Sequence, residues 1–111
     1  RMIEIDVRVC LSLTEEREIF AARRRILDRL DRFLDPVDGN FYGEGWEIGV
    51  FPDKNQILYA VKGVEGIRSV RQLTLRKYQK DRAGEPEFRD DGNYLSYLLP
   101  ESGQHEIIID L

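Results

Sequence analysis

The chain reads as an α+β protein: a two-layer sandwich in which a mainly antiparallel sheet of three or four strands carries two helices on one face, in the order β-α-α-β-β. Three observations predict this. Residues 3–13 alternate apolar and polar without error, the next twenty or so place apolar residues at helical spacing as far as Pro36, and the C-terminal half returns to strand patterns punctuated by Gly and Pro. At 111 residues the chain is long enough for one core but not for two, so 1–111 is read as a single domain. It opens with Arg1-Met2 and enters a strand pattern at once, as expected of the C-terminal part of a longer protein.

The first strand has Ile3, Ile5, Val7, Val9, Leu11 and Leu13 on one face and Glu4, Asp6, Arg8, Cys10 and Ser12 on the other. β-Branched residues dominate the apolar face, so one side is buried and the other wet, and the strand is central if later strands flank it. Ser12-Leu-Thr-Glu15 then predicts a helix start capped by Ser or Thr. Ile19, Ala22, Ile26, Leu30, Phe33 and Leu34 form a helical stripe that stops near Asp35, because Pro36 disfavours helix at the residue before it. Such a helix is about 20 residues long and spans about 30 Å. Its arginines (Arg17, Arg23, Arg24, Arg25, Arg29, Arg32) alternate with acids, which reads as a solvated face laced with pairs such as Asp28 and Arg32.

Asp38 to Gly49 packs four glycines (Gly39, Gly43, Gly45, Gly49) and three aromatics, among them the sole tryptophan, Trp46, into twelve positions. This composition predicts a rigid joint between two helices, with Trp46 as its anchor in the core. Asp53 is the expected N-cap of a shorter helix carrying Ile57, Leu58, Val61 and Val64, with Gly63 and Gly66 bracketing its end as left-handed caps. A second strand follows over 67–78, its phase slipping near Ser69 as a bulge would make it. Residues 80–93 read as an exposed charged loop, and 94–99 as a short edge strand ended by Pro100. Residues 100–103 read as a turn, and His105, Ile107, Ile109 and Leu111 alternate into a last strand.

Composition narrows the function classes. Seventeen basic residues against twenty-one acidic ones leave a net charge of −4, which argues against nucleic acid as the partner. No apolar run approaches a membrane span. A single cysteine, Cys10, allows no internal disulfide, and one Cys with one His argues against a conventional zinc site. His105 could serve as a general base, but no Asp-His-Ser arrangement follows from the spacing, and a half-buried residue at a strand end with one hydrogen bond accounts for it more simply. Cys10 has no neighbouring base in sequence and reads as a small filler. The glycine-rich stretch lacks the Lys-Ser/Thr of a phosphate loop, and Glu44 and Glu47 would repel phosphate. Asp38, Glu44, Glu47 and Asp53 match no calcium-loop spacing. No cofactor or metal is expected.

Phe33-Leu-Asp-Pro36, then Gly39, then Gly43-Glu-Gly-Trp46-Glu-Ile-Gly49 resembles the baseplate J-like proteins of contractile phage tails and related contractile injection systems. In that family a helix ends in a "leucine, x, proline" step, and a "glycine, x, glycine, tryptophan, x, x, glycine" connection leads to a short helix ending in "valine, x, glycine, valine". Val61-Lys-Gly63-Val64 and Val64-Glu-Gly-Ile67 both approximate the last step, and Ser102-Gly103-Gln-His105-Glu-Ile107 resembles the family's closing turn and strand. The likeness runs from Ile5 to Leu111. It departs at the charged 80–93 segment and at Val50, where the family has an arginine.

The resemblance implies a non-enzymatic structural component of a baseplate wedge, acting through other baseplate and tail proteins in a hetero-oligomeric or six-fold assembly. It would be cytoplasmic during assembly and later part of a virion or injection particle. Pro36, Gly39, Gly43, Gly45, Trp46, Gly49, Gly63 and Gly103 would be structural motif residues, with no catalytic residue to carry over. The Arg-rich helix face and any unpaired sheet edge would be the natural docking sites. The alternative is a small regulatory module that binds a metabolite or anion at the 38–49 loop.

Overall fold

A computed structural model of the chain describes residues 2–80, 86–88 and 99–110. Strand β1 (Met2–Leu13) is the centre of the sheet, as its alternation predicts. Strand β2 (Ile67–Lys80) pairs with it antiparallel, from Glu4 opposite Tyr78 to Leu13 opposite Ile67, and β3 (Pro86–Phe88) pairs antiparallel with β2. On the other side of β1 lie β4 (Leu99–Ser102), opposite Met2–Ile5, and β5 (Glu106–Asp110), opposite Arg8–Ser12; both run parallel to β1. The sheet is therefore mixed and four strands wide, and β4 and β5 are two pieces of one edge broken at residues 103–105.

Helices α1 (Ile19–Phe33) and α2 (Lys54–Lys62) cover one face. The odd positions of β1 from Ile5 to Leu13, with Leu73 and Ile107, meet Ala22, Ile26, Leu30 and Phe33 of α1 and Ile57, Ala60 and Val61 of α2 in one buried cluster. This is the two-layer α+β sandwich expected from sequence. Among the described residues no helix is long and apolar enough to cross a membrane.

Several local expectations are corrected. The long helix has no Ser or Thr cap: the Ser12 hydroxyl meets that of Ser69 at 2.7 Å, and Thr14 donates its backbone N–H to the Gly66 carbonyl. With both hydroxyl residues tied to the neighbouring chain, helix entry passes through a 3-10 turn, Glu16–Glu18. The regular α-helix is then 15 residues rather than about 20. The phase slip in β2 is two register shifts, which leave Arg71 and Arg68 unpaired on either side of Ser69. Gly66 takes the left-handed conformation (φ +95°), but Gly63 does not (φ −77°); its N–H simply continues the helical ladder to Tyr59.

Pro100 does not end the edge strand; it lies within β4, opposite Ile3, and an outer strand tolerates its missing N–H. Residues 101 and 102 are strand as well, which confines the turn to 103–105. Lys80 closes β2 and Pro86–Phe88 forms β3, so these residues are not loop. The rest of the expected 80–93 loop, and the 94–98 portion of the expected strand, lie outside the described residues.

Candidate functional site

Two places gather the residues singled out by sequence: the break between β4 and β5, and the glycine-rich joint between the helices. The break has a simple cause. Gly103 packs against β1 so closely that a β-carbon there would collide with Asp6 and come within 3.1 Å of the Ile5 carbonyl. Its N–H donates to that carbonyl at 2.9 Å, and residues 103–105 stay out of the ladder until β5 begins at Glu106. The backbone groups stranded by this detour must find other partners. Asp6 Oδ1 accepts from the Gln104 N–H at 2.7 Å, and His105 Nδ1 accepts from the Val7 N–H at 3.0 Å.

The fold thereby assembles a serine, a histidine and an aspartate that the sequence spacing does not announce. Ser102 Oγ lies 2.6 Å from His105 Nε2 and donates to Asp31 Oδ1 on α1, also at 2.6 Å. The direction of these bonds decides what the cluster can do. Because His105 Nδ1 accepts a backbone proton, a neutral ring carries its own proton on Nε2 and donates it to Ser102. Ser102 in turn directs its proton to Asp31. A triad requires the opposite: an imidazole lone pair facing the hydroxyl to remove its proton. Here that lone pair is committed to Val7, so Ser102 is not activated as a nucleophile by His105.

The His105 side chain is 2% exposed. Burial pushes its pKa below the ordinary 6.5, while the carboxylates of Asp31 and Asp6 oppose this shift. The residue lies just before β5 rather than within it, and it makes two hydrogen bonds rather than one.

On the other sheet face, Tyr78 donates to Glu4 Oε2 at 2.6 Å and approaches Asp6 Oδ1 at 3.3 Å. Burial, then the hydrogen bond to Glu4 and the charge of Asp6, hold its phenol well above the ordinary range and therefore neutral. An open cleft of about 390 Å³ beside this group is lined by Asp6, Arg8, Thr74, Arg76, Gln104 and His105, among others. Both arginines are already matched, Arg8 with Glu106 at 3.4 Å and Arg76 with Asp6 at 3.8 Å. Cys10 is buried on β1, as a filler should be.

The arginines of α1 do more than form a solvated face. Arg23 donates to the Ile107 carbonyl at 2.9 Å and so ties the helix to β5. Arg25 reaches the Glu65 carbonyl and the Glu18 carboxylate, and Arg29 lies 5.4 Å above the Phe33 ring. The expected pair of Asp28 with Arg32 is not among the ion pairs of the described residues.

The joint is built as a knot around the end of α1. Asp35 Oδ1 accepts from the N–H groups of Val37 and Asp38, the Gly39 N–H returns to the Asp35 carbonyl, and that of Asn40 to Phe33. The Gly45 N–H donates to the Gly39 carbonyl, and that of Trp46 to the Pro36 carbonyl. These amides face inward, and a phosphate cradle needs them facing out. Gly45 has φ +80°, and a β-carbon on it would meet the Val37 carbonyl at 2.5 Å. Gly39 is buried against Phe33, Asp35 and Trp46; Gly43 and Gly49 also have positive φ. Trp46 is half-buried. It stands edge-on to Phe33 with centroids 5.5 Å apart and donates its indole N–H to the Phe33 carbonyl at 2.9 Å. Asp53 is held as the α2 cap, and among the described residues no three His, Cys, Asp or Glu side chains converge as a metal site would require.

What the joint shows outward is apolar. Val37, Tyr42 and Ile48 are 73%, 82% and 62% exposed, and Val50 and Phe41 are partly so. Phe41 also meets Tyr59 of α2 edge-on at 5.6 Å. Sequence reasoning found Trp46 and the glycines but not this surface; the signal available was a run of apolar residues between glycines that can all turn outward. A scan against models of known protein families finds no match for the chain, and a search of curated proteins finds none.

Proposed function

We propose that the protein is a non-enzymatic structural component of a contractile-tail baseplate wedge, acting through contacts with other baseplate and tail proteins. The observation that carries the assembly part of this reading is the outer surface of the joint. Val37, Phe41, Tyr42, Ile48, Val50 and Tyr59 are exposed within or beside one short connection, and apolar side chains grouped this way on a protein surface mark a contact site. The baseplate part rests on the resemblance in the ordered motifs from Phe33 to Gly49 and from Ser102 to Ile107. In those motifs Gly39, Gly45, Trp46, Gly103 and His105 each have a packing or hydrogen-bonding task.

The alternative of a metabolite or anion bound at 38–49 has little to work with, since the loop amides are spent on the joint itself. The test is co-expression with the products of the genes flanking its own, followed by size-exclusion chromatography. Co-elution with at least one, reduced by Tyr42→Ser/Ile48→Ser, is expected. A chain that ignores all of them and instead gains thermal stability from a small anion or metabolite would overturn the reading.

A further inference from the structure

Among the described residues the most exposed large apolar side chain is not in the joint. Phe20, at the start of α1, is 84% exposed. The joint follows the other end of the same helix, and thirteen residues of helix put the two about 20 Å apart. They cannot cover each other within one chain.

Their charge surroundings are complementary. From Phe33 to Asp53 there are five acidic residues (Asp35, Asp38, Glu44, Glu47, Asp53) and no lysine or arginine. Around Phe20, one helical turn to either side, stand Arg17, Arg23 and Arg24 against Glu16. Glu15 pairs with Arg17 at 2.7 Å and Glu18 with Arg25 at 3.5 Å, which leaves Arg24, and Arg23 with its bond to the Ile107 carbonyl, against Glu16. Arg24 is exposed and makes no hydrogen bond or ion pair among the described residues. One end of α1 thus offers an aromatic knob among arginines, and the other an apolar surface among carboxylates.

We infer that copies of this chain associate head to tail, Phe20 and its arginines on one copy docking against the exposed Val37, Tyr42, Ile48 and Val50 of the next. An isologous contact through the joint alone would oppose acid with acid, whereas the head-to-tail contact pairs opposite charges and repeats along a ring or a filament. This rests on the assembly reading only in taking the joint as a contact surface, and it names a second copy as an occupant.

The test is sedimentation velocity on the 111-residue chain over a concentration series reaching roughly 1 mM, the effective concentration that tethering in an assembly supplies. Concentration-dependent association that weakens with added salt is expected. Phe20→Ser should weaken it by about tenfold or more, the factor for one lost apolar contact, with an unchanged circular dichroism spectrum. The charge swaps Glu44→Arg/Glu47→Arg and Arg17→Glu/Arg24→Glu should each abolish it alone, and an equimolar mixture of the two should restore it, because each mismatched surface then meets a matching one. A chain that stays monomeric throughout, or a Phe20→Ser variant that associates normally, overturns the inference while leaving contacts with other subunits untouched. If Arg17→Glu/Arg24→Glu alone associates like the parent, the contact is isologous and the inference likewise fails.

Discussion

His105 shows how one proton position separates a structural cluster from a catalytic one. The neutral ring accepts from Val7 and donates to Ser102; protonation places a second N–H against the Val7 N–H, donor facing donor. The folded pKa lies below 6.5, so the unfolded chain takes up the proton first as pH falls. The contribution of His105 to stability is therefore complete above pH 6.5 and is lost as pH falls from there towards the folded value. Thermal unfolding of the parent and of His105→Gln, compared between pH 8 and pH 5, should show a smaller acid-induced drop in the variant. Glutamine can accept from Val7 and donate to Ser102 without titrating. Equal drops in both proteins would show that His105 is not the group responsible.

The glycines of the joint separate two costs that are usually merged. Gly43 and Gly45 both have positive φ, but a β-carbon at 43 meets nothing closer than 3.8 Å, whereas at 45 it meets two carbonyl oxygens within 2.6 Å. Gly43→Ala should cost about 1 kcal/mol, the conformational term alone. Gly45→Ala adds crowding of the order of 1–3 kcal/mol. Urea unfolding of the two variants measures the difference, and equal losses would contradict the crowding.

At the level of elements, α2 is the helix whose beginning the sequence predicts correctly. Asp53 accepts from the Gln56 N–H at 2.8 Å, and Gln56 accepts from the Asp53 N–H at 2.9 Å, a reciprocal cap. Asp53→Ala should cost about 1 kcal/mol, read as a lower urea midpoint with an unchanged slope. The start of α1 shows the opposite. Ser12 and Thr14 have the right chemistry for a cap and the right place in sequence, but tertiary partners, Ser69 and Gly66, claim them.

That contrast explains what was legible. Patterns that concern a residue and its own near neighbours, such as the alternation of β1, the stripe of α1, the box at Asp53 and the anchor at Trp46, can be read directly. Patterns set by distant chain cannot. The Ser102–His105–Asp31 cluster joins residues 71 positions apart, and the parallel sense of β4 and β5 depends on how the chain returns. Pro100 marks an edge strand, but its sequence does not say whether it ends the strand or sits within it.

For the whole molecule, the joint belongs to the core rather than hanging from it. Phe33, fully buried, touches both Phe41 and Trp46, and the indole is hydrogen-bonded to the last residue of α1. Trp46 fluorescence and far-ultraviolet circular dichroism should therefore report one coincident urea transition, as for a small two-state domain. An earlier fluorescence transition would mean that the joint opens by itself, and the rigid surface invoked for docking would be lost.

The broken edge has a consequence for how the protein can avoid aggregating. A continuous outer strand is a template for another chain to extend the sheet. Here β4 carries a proline, three residues leave the ladder before β5 resumes, and side chains of β1 and His105 fill the gap. On the opposite margin β3 pairs only with Tyr78–Lys80, so among the described residues the outer side of β2 from Ile67 to Lys77 carries no strand. What blunts that run is the pair of register shifts that take Arg68 and Arg71 out of the ladder, together with the charges of Arg68, Arg71, Arg76 and Lys77. The two margins thus discourage strand addition by different means, and surfaces on the helical layer remain for specific contacts.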